Sequence, residues 1–300
     1  MQVSIIIVNY NTLFITEACI DSINKFTKDI NYEIILVDNA STDGSKEHFE
    51  ARKDITYIYS SENLGFGKAN NLGATIAKGE FLFFLNSDTL FIENSLFKLI
   101  NFFCENERKM KIGVLGCTLV DENKEPNGDG GYLPTLKSIL IEKYRGLPIL
   151  NKFLKYKPFV PKFFTDEYFE IGYVLGADML LRKKLFFEVG GFNPKYFMYY
   201  EESEIQHLIR KKGYKNYILK ETKIIHLIAK SSTPSQNYSN NKRIMVNQSR
   251  IEYLKNKGGL KRYFVFEFIF MILIFFNNKY SFKDNLSYIS NILNKIFRDV

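Results

Sequence analysis

The strongest constraint on this chain is a rhythm. Over its first half, short apolar runs alternate with stretches whose apolar residues recur at helical spacing. The runs "VSIIIV", "EIILVD", "ITYIY", "EFLFFL" and "KIGVLG" have strand length, while residues near 13–27, 44–53, 66–78 and 93–106 carry the helical period. That alternation predicts βαβ units with right-handed crossovers, and so an α/β fold built on a largely parallel sheet. Residues 119–134 are loop by composition, and residues 136–169, aromatic and basic, show no clear period. "EIGYVLGADMLLRK" resumes as a strand, and Glu201 to Lys212 reads as a helix that ends at Gly213. No internal repeat is visible.

At 300 residues, 46% hydrophobic and 25% charged, the sequence suits one large α/β domain with an appendage. Cys19, Cys104 and Cys117 are odd in number, widely spaced and without a CxxC pair, so neither a disulfide framework nor a thiolate metal site is expected, and a reducing cytosol is the simplest home. The opening "MQVSIIIVNY" lacks a basic leader and a cleavage site and reads as a first buried strand, not a signal peptide. Of the net charge of +8, residues 231–300 hold +7 (11 Lys/Arg against 4 Asp/Glu), which leaves +1 for everything before. The basic excess therefore belongs to a tail. There "RYFVFEFIFMILIFF" is intensely apolar, but Glu267 interrupts it and Asn277, Asn278 and Lys279 end it, short of the roughly 20 residues that span a bilayer. With Lys255, Lys257, Lys261 and Arg262 just before it, the segment suits an anionic membrane surface, the alternative being a helix packed on the body of the protein. The chain is thus expected to divide into residues 1–232 and a helical extension over 233–300. Nucleic acid is not an expected partner, because the basic residues flank an apolar segment and no nucleic-acid motif is present.

Four polar clusters fall where strands should end: "VNYNT", "VDNASTDGS", "NLGFGKANN" and "LNSDT". In an open parallel sheet such ends share one edge, and ligands bind there. Asp43 with Gly44 reads as a turn and helix cap, whereas Asp38, at a strand tip, suits the imide N–H of a uracil or thymine. Lys68 in the glycine-rich cluster suits a phosphate or a base carbonyl. Asn86, Ser87 and Asp88 form either an ordinary turn or a minimal site for a hard divalent cation, which needs only one or two protein carboxylates when a diphosphate supplies further oxygens. Glu201, Glu202 and Glu204 open a helix where acids complement the macrodipole, but three of them after "YFMYY" exceed what capping requires, and like charges raise one another's pKa toward that of a general base.

Together and in this order, the motifs "SIIIVNYNT", "ILVDNASTDGS", "NLGFGKANNLG", "FLFFLNSDT", "VLGADMLLRKKLFFEVGGFNPKYFMYYEESEIQHLIRKKGY" and "IIHLIAKSS" resemble the family 2 inverting glycosyltransferases of GT-A fold, in particular the branch of bacterial rhamnosyltransferases that build surface polysaccharides. The resemblance covers roughly residues 1–232. It implies a Rossmann-like, mostly parallel sheet flanked by helices and a metal-dependent transfer of a sugar from a nucleoside diphosphate donor (dTDP- or UDP-sugar, dTDP-rhamnose among them). The acceptor it implies is a glycan hydroxyl, lipid-linked at the inner face of the cell membrane. Carried over residue by residue, it makes Asp38 a base contact and Asp88 the end of a DxD-type motif whose first acid is here Asn86. It also places Glu202 at the catalytic base position, usually Asp, with Glu201 and Glu204 orienting, and His226 at a histidine that helps hold Mg²⁺ or Mn²⁺. The donor side would further take Val8, Tyr10, Asn11, Asn63, Lys68, Asn71, Asn86, Ser87 and Asp178. Without the resemblance, His226 in "KIIHLIAK" reads equally as a satisfied core or strand-end histidine.

Two other functions compete. A sugar nucleotidyltransferase would need a glycine-rich, basic loop after the first strand, and "VNYNT" has neither. A non-catalytic module that binds a sugar nucleotide or a membrane is made conceivable by Asn86 and Glu202, which depart from the family pattern.

Overall fold

The computed structural model describes residues 2–145, 160, 164–227, 239–276 and 280–299. The expected boundary between residues 232 and 233, the polar stop at 277–279 and much of the 136–169 stretch lie outside them. The βα rhythm is realised as β1 (Val3–Asn9), α1 (Leu13–Phe26), β2 (Tyr32–Asn39), α2 (Ser45–Glu50), β3 (Thr56–Ser60), α3 (Phe66–Ile76), β4 (Phe81–Asn86), the short β5 (Thr89–Phe91) and α4 (Ser95–Met110). The order then loosens into β6 (Ile112–Val120), β7 (Gly130–Gly131), α5 (Leu136–Arg145), β8 (Tyr168–Ile171), β9 (Tyr173–Val174), β10 (Asp178–Arg182), α6 (Lys183–Glu188), α7 (Glu201–Lys211) and the long β11 (Lys215–His226). Three helices follow: α8 (Asn240–Lys257), α9 (Leu260–Leu273) and α10 (Phe282–Asp299).

The chain forms two compact units. One takes the described residues of 1–133, 160–197 and 201–233, the other those of 134–159, 198–200 and 234–300. The first is a GT-A-like α/β body around a nine-stranded sheet ordered β3-β2-β1-β4-β10-β6-β11-β5, with β8 also on β11. Strands β3, β2, β1 and β4 are parallel, as the rhythm implies. The residues Phe81 to Leu85 of β4 are all buried, as expected of a central strand covered on both faces. Each such side chain withdrawn from water contributes about 1.5–3 kcal/mol.

The sheet is mostly parallel, as expected, and it is mixed: β10 runs antiparallel between β4 and β6, and β5 and β8 pair antiparallel with β11. One expectation is corrected: "EIGYVLGADMLLRK" is not one strand but breaks into β8, β9 and β10. At the first break, Gly172, the chain passes so close to its neighbours that a Cβ would lie 2.5 Å from Leu133 N and 2.6 Å from Gly131 O. The three cysteines are free, Cys19 and Cys117 buried and Cys104 exposed, as the sequence led one to expect.

The second unit is helical. Tyr263, Phe270, Met271 and Ile274 of α9 turn inward, as do Tyr288, Ile292 and Ile296 of α10 and Ile251, Tyr253 and Leu254 of α8. Among these apolar groups lies a polar knot. Lys143 Nζ donates to Asn247 Oδ1 at 2.9 Å, to the Tyr288 hydroxyl at 2.8 Å and to Glu267 Oε2, and Tyr288 donates to Glu267 Oε1 at 2.7 Å. The ring of Phe270 lies 4.4 Å from the ammonium. Glu267, which breaks the apolar run in the sequence, is fully buried. Among the described residues no helix is long and apolar enough to cross a membrane.

Candidate active site

Strand order reverses at β1: β2 and β3 extend to one side and β4 to the other. The carboxyl ends of β1, β2 and β4 therefore form the edge where an open α/β sheet receives ligands. Register aligns them, with Asn9 opposite Asp38 and Val8 opposite both Val37 and Asn86.

A buried side-chain network ties the turns at this edge together. Asn9 Nδ2 donates to Ser41 Oγ at 3.0 Å, and Asn9 Oδ1 accepts from the hydroxyls of Thr12 and Thr16, both at 2.8 Å. The Thr12 hydroxyl also lies 3.4 Å from Ser87 Oγ. Asn11, with a positive φ of 54°, donates its N–H to Ser41 Oγ at 2.9 Å and accepts from Thr42 N–H at 2.7 Å. Such short polar side chains tolerate the left-handed region and bond locally, which is why "VNYNT" turns where it does. Tyr10, between them, is about half exposed. Asn9, Thr12, Thr16 and Ser41 were not anticipated as individuals, although three of the four stand inside the polar clusters.

Asp38 is fully buried. Its Oδ1 accepts from Ser41 N–H at 2.8 Å and its Oδ2 from the Tyr57 hydroxyl at 3.0 Å, so it first of all holds its own turn. Asp43 behaves as a cap: its carboxylate accepts from the Ser45 hydroxyl at 2.6 Å, from Leu13 N–H at 2.9 Å and from Ser45 N–H at 3.2 Å, and these bonds outweigh burial and keep its pKa below the ordinary value. Asn39 Nδ2 reaches Asn63 Oδ1 at 2.9 Å, and Asn63 Oδ1 also accepts from Gly65 N–H at 3.0 Å, which fixes the approach to α3. Gly65 has φ of 77°, and a Cβ there would lie 2.1 Å from the Phe197 carbonyl oxygen, the acceptor for Phe66 N–H at 2.9 Å. Only glycine fits that approach. Lys68 is exposed on α3. Asn71 braces α3 against the chain before α7: its Nδ2 donates to Phe192 O at 2.7 Å and its Oδ1 accepts from Phe192 N–H at 2.9 Å.

The sharpest convergence joins residues far apart in sequence. The antiparallel pairing of β5 with β11 sets His226 opposite Thr89, and His226 Nε2 lies 3.3 Å from Asp88 Oδ1, with both side chains nearly buried. Leu227 N–H donates to the Asp88 carbonyl at 2.8 Å, locking the end of β11 to the turn. Nδ1 of His226 is buried and has no hydrogen-bond partner among the described residues. No cluster of three or more His, Cys, Asp or Glu that could hold a metal is found among the described residues.

Glu201, Glu202 and Glu204 occupy the first turn of α7, with Glu201 and Glu204 buried and Glu202 half-buried. Glu201 packs at the start of α3, where a Cβ on Gly67 would lie 3.7 Å from its side chain. Tyr199 and Tyr200, the two residues before α7, both have positive φ, 74° and 73°, a strained conformation for aromatic residues that costs of order 1–3 kcal/mol each. Asp178 opens β10 opposite Leu85, the penultimate residue of β4, and is fully buried. Its Oδ2 accepts from Cys117 N–H at 2.6 Å, and its Oδ1 has no hydrogen-bond partner among the described residues. Burial pushes the Asp178 carboxyl well up; the Cys117 N–H opposes this, and Asp129 adds to it. Burial likewise pushes Asp129 up to about 6, against the N–H of Leu119 at 2.8 Å.

Residues 4–169 match the family model described as "Glycosyl transferase family 2". The poly(ribitol-phosphate) beta-glucosyltransferase of Bacillus spizizenii is 33% identical over 121 residues, 38% of this chain and 19% of that protein. The N-acetylglucosaminyl-diphospho-decaprenol L-rhamnosyltransferase of Mycobacterium tuberculosis is 25% identical over 219 residues, 66% of this chain and 67% of that one. The chain thus spans about a fifth of the first relative and two thirds of the second. Among solved structures, a mannosyltransferase from Pyrobaculum calidifontis in complex with GDP-Man and Mn²⁺ superposes with a TM-score of 0.54 at 18% identity, over 85% of this chain and 64% of that one, a likeness of fold.

Proposed function

This chain belongs to glycosyl transferase family 2, and from that premise we propose that it moves a sugar from a nucleoside diphosphate donor to a hydroxyl of a glycan acceptor, in a single inverting displacement. The observation that carries the reading is the Asp88–His226 pair at 3.3 Å, brought together by β11 at the ligand-binding edge of the sheet. One carboxylate oxygen and one imidazole nitrogen suit a divalent cation, Mg²⁺ or Mn²⁺, that takes its remaining ligands from diphosphate and water. The Mn²⁺ in the archaeal mannosyltransferase complex supports the same assignment. When bound, the cation would offset the charge that develops on the departing diphosphate.

The chain's own groups do the rest. Glu202 accepts the proton of the attacking hydroxyl, and Glu201 and Glu204, buried on the same turn, hold it in place. Glu in place of the usual Asp reaches one methylene further. The donor lies along the edge formed by Val8, Tyr10, Asn11 and Asp38, with Lys68, Asn86 and Ser87 toward the phosphates and Asp178, at the start of β10 opposite Leu85, toward the sugar. A dTDP- or UDP-linked rhamnose or glucose and a lipid-linked acceptor are favoured, in keeping with the names of the mycobacterial rhamnosyltransferase and the Bacillus glucosyltransferase. Such an acceptor calls for work at the cytoplasmic face of the membrane, with residues 233–300 as the contact.

The test is release of nucleoside diphosphate from a panel of nucleotide sugars with a purified glycan acceptor. Glu202→Gln is expected to lower the rate by about 10²–10⁴, the usual contribution of a general base, while donor-dependent thermal stabilisation is kept. A variant that retains its rate to within a few-fold would remove Glu202 from the chemistry, and donor binding without turnover in the parent chain would leave a binding module.

A further inference from the structure

We infer that α9 and the turn after it dock in the plane of an anionic bilayer through one defined face, Val265, Phe268, Ile269 and Ile272 of the helix and Phe275 of the turn, with Lys261 and Arg262 at its headgroup end. The inference rests on the membrane reading above and specifies its geometry. All five apolar residues are exposed, Ile272 to 66% and Val265 to 60%. From Val265 to Phe275 no exposed residue of the segment is polar. They recur at helical spacing, so they form one continuous stripe opposite the buried face of Tyr263, Glu267, Phe270 and Ile274.

Length and charge choose among occupants. The 14 residues of α9 reach about 21 Å, short of the roughly 30 Å hydrocarbon core, so this helix lies on a bilayer and does not span one. Lys261 and Arg262 are exposed in its first turn and complement anionic headgroups. A second copy would need an acid to meet that basic end, yet the single acid of α9, Glu267, is fully buried against Lys143 and Tyr288. The buried ion pair thus acts as a sorting device. It takes the one charge that would oppose insertion out of the lipid-facing stripe.

The chain contains no tryptophan, so a single introduced indole reports alone. Phe268→Trp, with Phe187→Trp on α6 as an exposed control, is mixed in the full-length chain with phosphatidylglycerol vesicles carrying brominated acyl chains. Emission from position 268 is expected to shift to shorter wavelength and to be quenched, and emission from position 187 to do neither. Lys261→Ala with Arg262→Ala should weaken vesicle binding about fivefold per charge removed. Val265→Glu with Ile272→Glu, at exposed positions, should abolish it with the circular dichroism unchanged. A chain that sediments with vesicles while position 268 stays unquenched overturns this face and leaves the membrane reading standing. A chain that binds no vesicles overturns both. A concentration-dependent dimer that shields position 268 without lipid overturns the inference in favour of a second copy. Nucleoside diphosphate release is read separately, so none of these outcomes bears on the transfer chemistry.

Discussion

Lys143→Met is the sharpest test of how the helical unit is held together. The substitution keeps the volume and removes the ammonium, leaving Glu267 buried with the Tyr288 hydroxyl 2.7 Å from Oε1. In the parent chain, burial pushes Lys143 down against the pull of Glu267, while Lys143 and the tyrosine hydroxyls hold Glu267 below its ordinary 4.5 despite its own burial. Without the ammonium the burial penalty prevails, and the carboxyl escapes it by taking up a proton. Starting from 4.5, protonation at pH 7.5 costs about 3 × 1.36, or about 4 kcal/mol, which falls within the roughly 3–5 kcal/mol lost when a buried pair is broken from one side. The sign follows from linkage. In the variant the folded pKa of Glu267 lies above the unfolded one, so full stability is present below pH 4.5 and is lost as pH rises toward the folded value, by about 1.4 kcal/mol per unit. Hydrogen exchange of the α9 amides, corrected for intrinsic rate, is expected to speed up about 10³-fold at pH 7.5 and only about tenfold at pH 5.5. Adding Glu267→Gln should return most of the loss. A penalty under about 1 kcal/mol at pH 7.5, unchanged at pH 5.5, would refute the reasoning.

Two further outcomes follow from the α/β body. Gly65→Ala must move the Phe197 carbonyl and bear a left-handed φ with a side chain, at about 2–5 kcal/mol in urea unfolding, whereas an unchanged midpoint would show that the approach of Phe197 is not fixed. Asp88→Asn and His226→Ala should each weaken Mn²⁺ binding by calorimetry at least about tenfold, the loss typical even of outer-sphere partners, with the unfolding midpoint little changed; equal affinity in either variant would take that residue out of the metal site.

The body of the fold was legible because it is local. Continuous apolar runs such as "EFLFFL", of strand length and bounded by polar turn residues, read as buried strands, and the helical period between them reads as crossover helices. What the sequence hid depends on pairing at a distance. Nothing in "ADMLLR" says that β10 will run antiparallel between β4 and β6, since an edge strand and a central one share the same residues. At the site, the types were legible and the assignments only partly so. Asp88 and His226 meet through the register of β5 on β11, which no local pattern encodes. Asn71 carries the polarity of a ligand contact, and the brace its amide makes to Phe192 is not encoded locally. The buried Glu267 was legible only as an interruption, because its partner Lys143 lies in a stretch without period.

The braced turns at the end of β1 divide the labour of changing specificity. Asn9, Thr12, Thr16 and Ser41 bond to one another inside the protein and to each turn they join, so altering any one of them releases several loops at once. Tyr10 and Phe14 stand on that brace with their rings in solvent. On the transfer reading proposed above, variation directed at a new sugar nucleotide can therefore begin at Tyr10, with the inner four serving as a fixed chassis on which successive variants remain comparable.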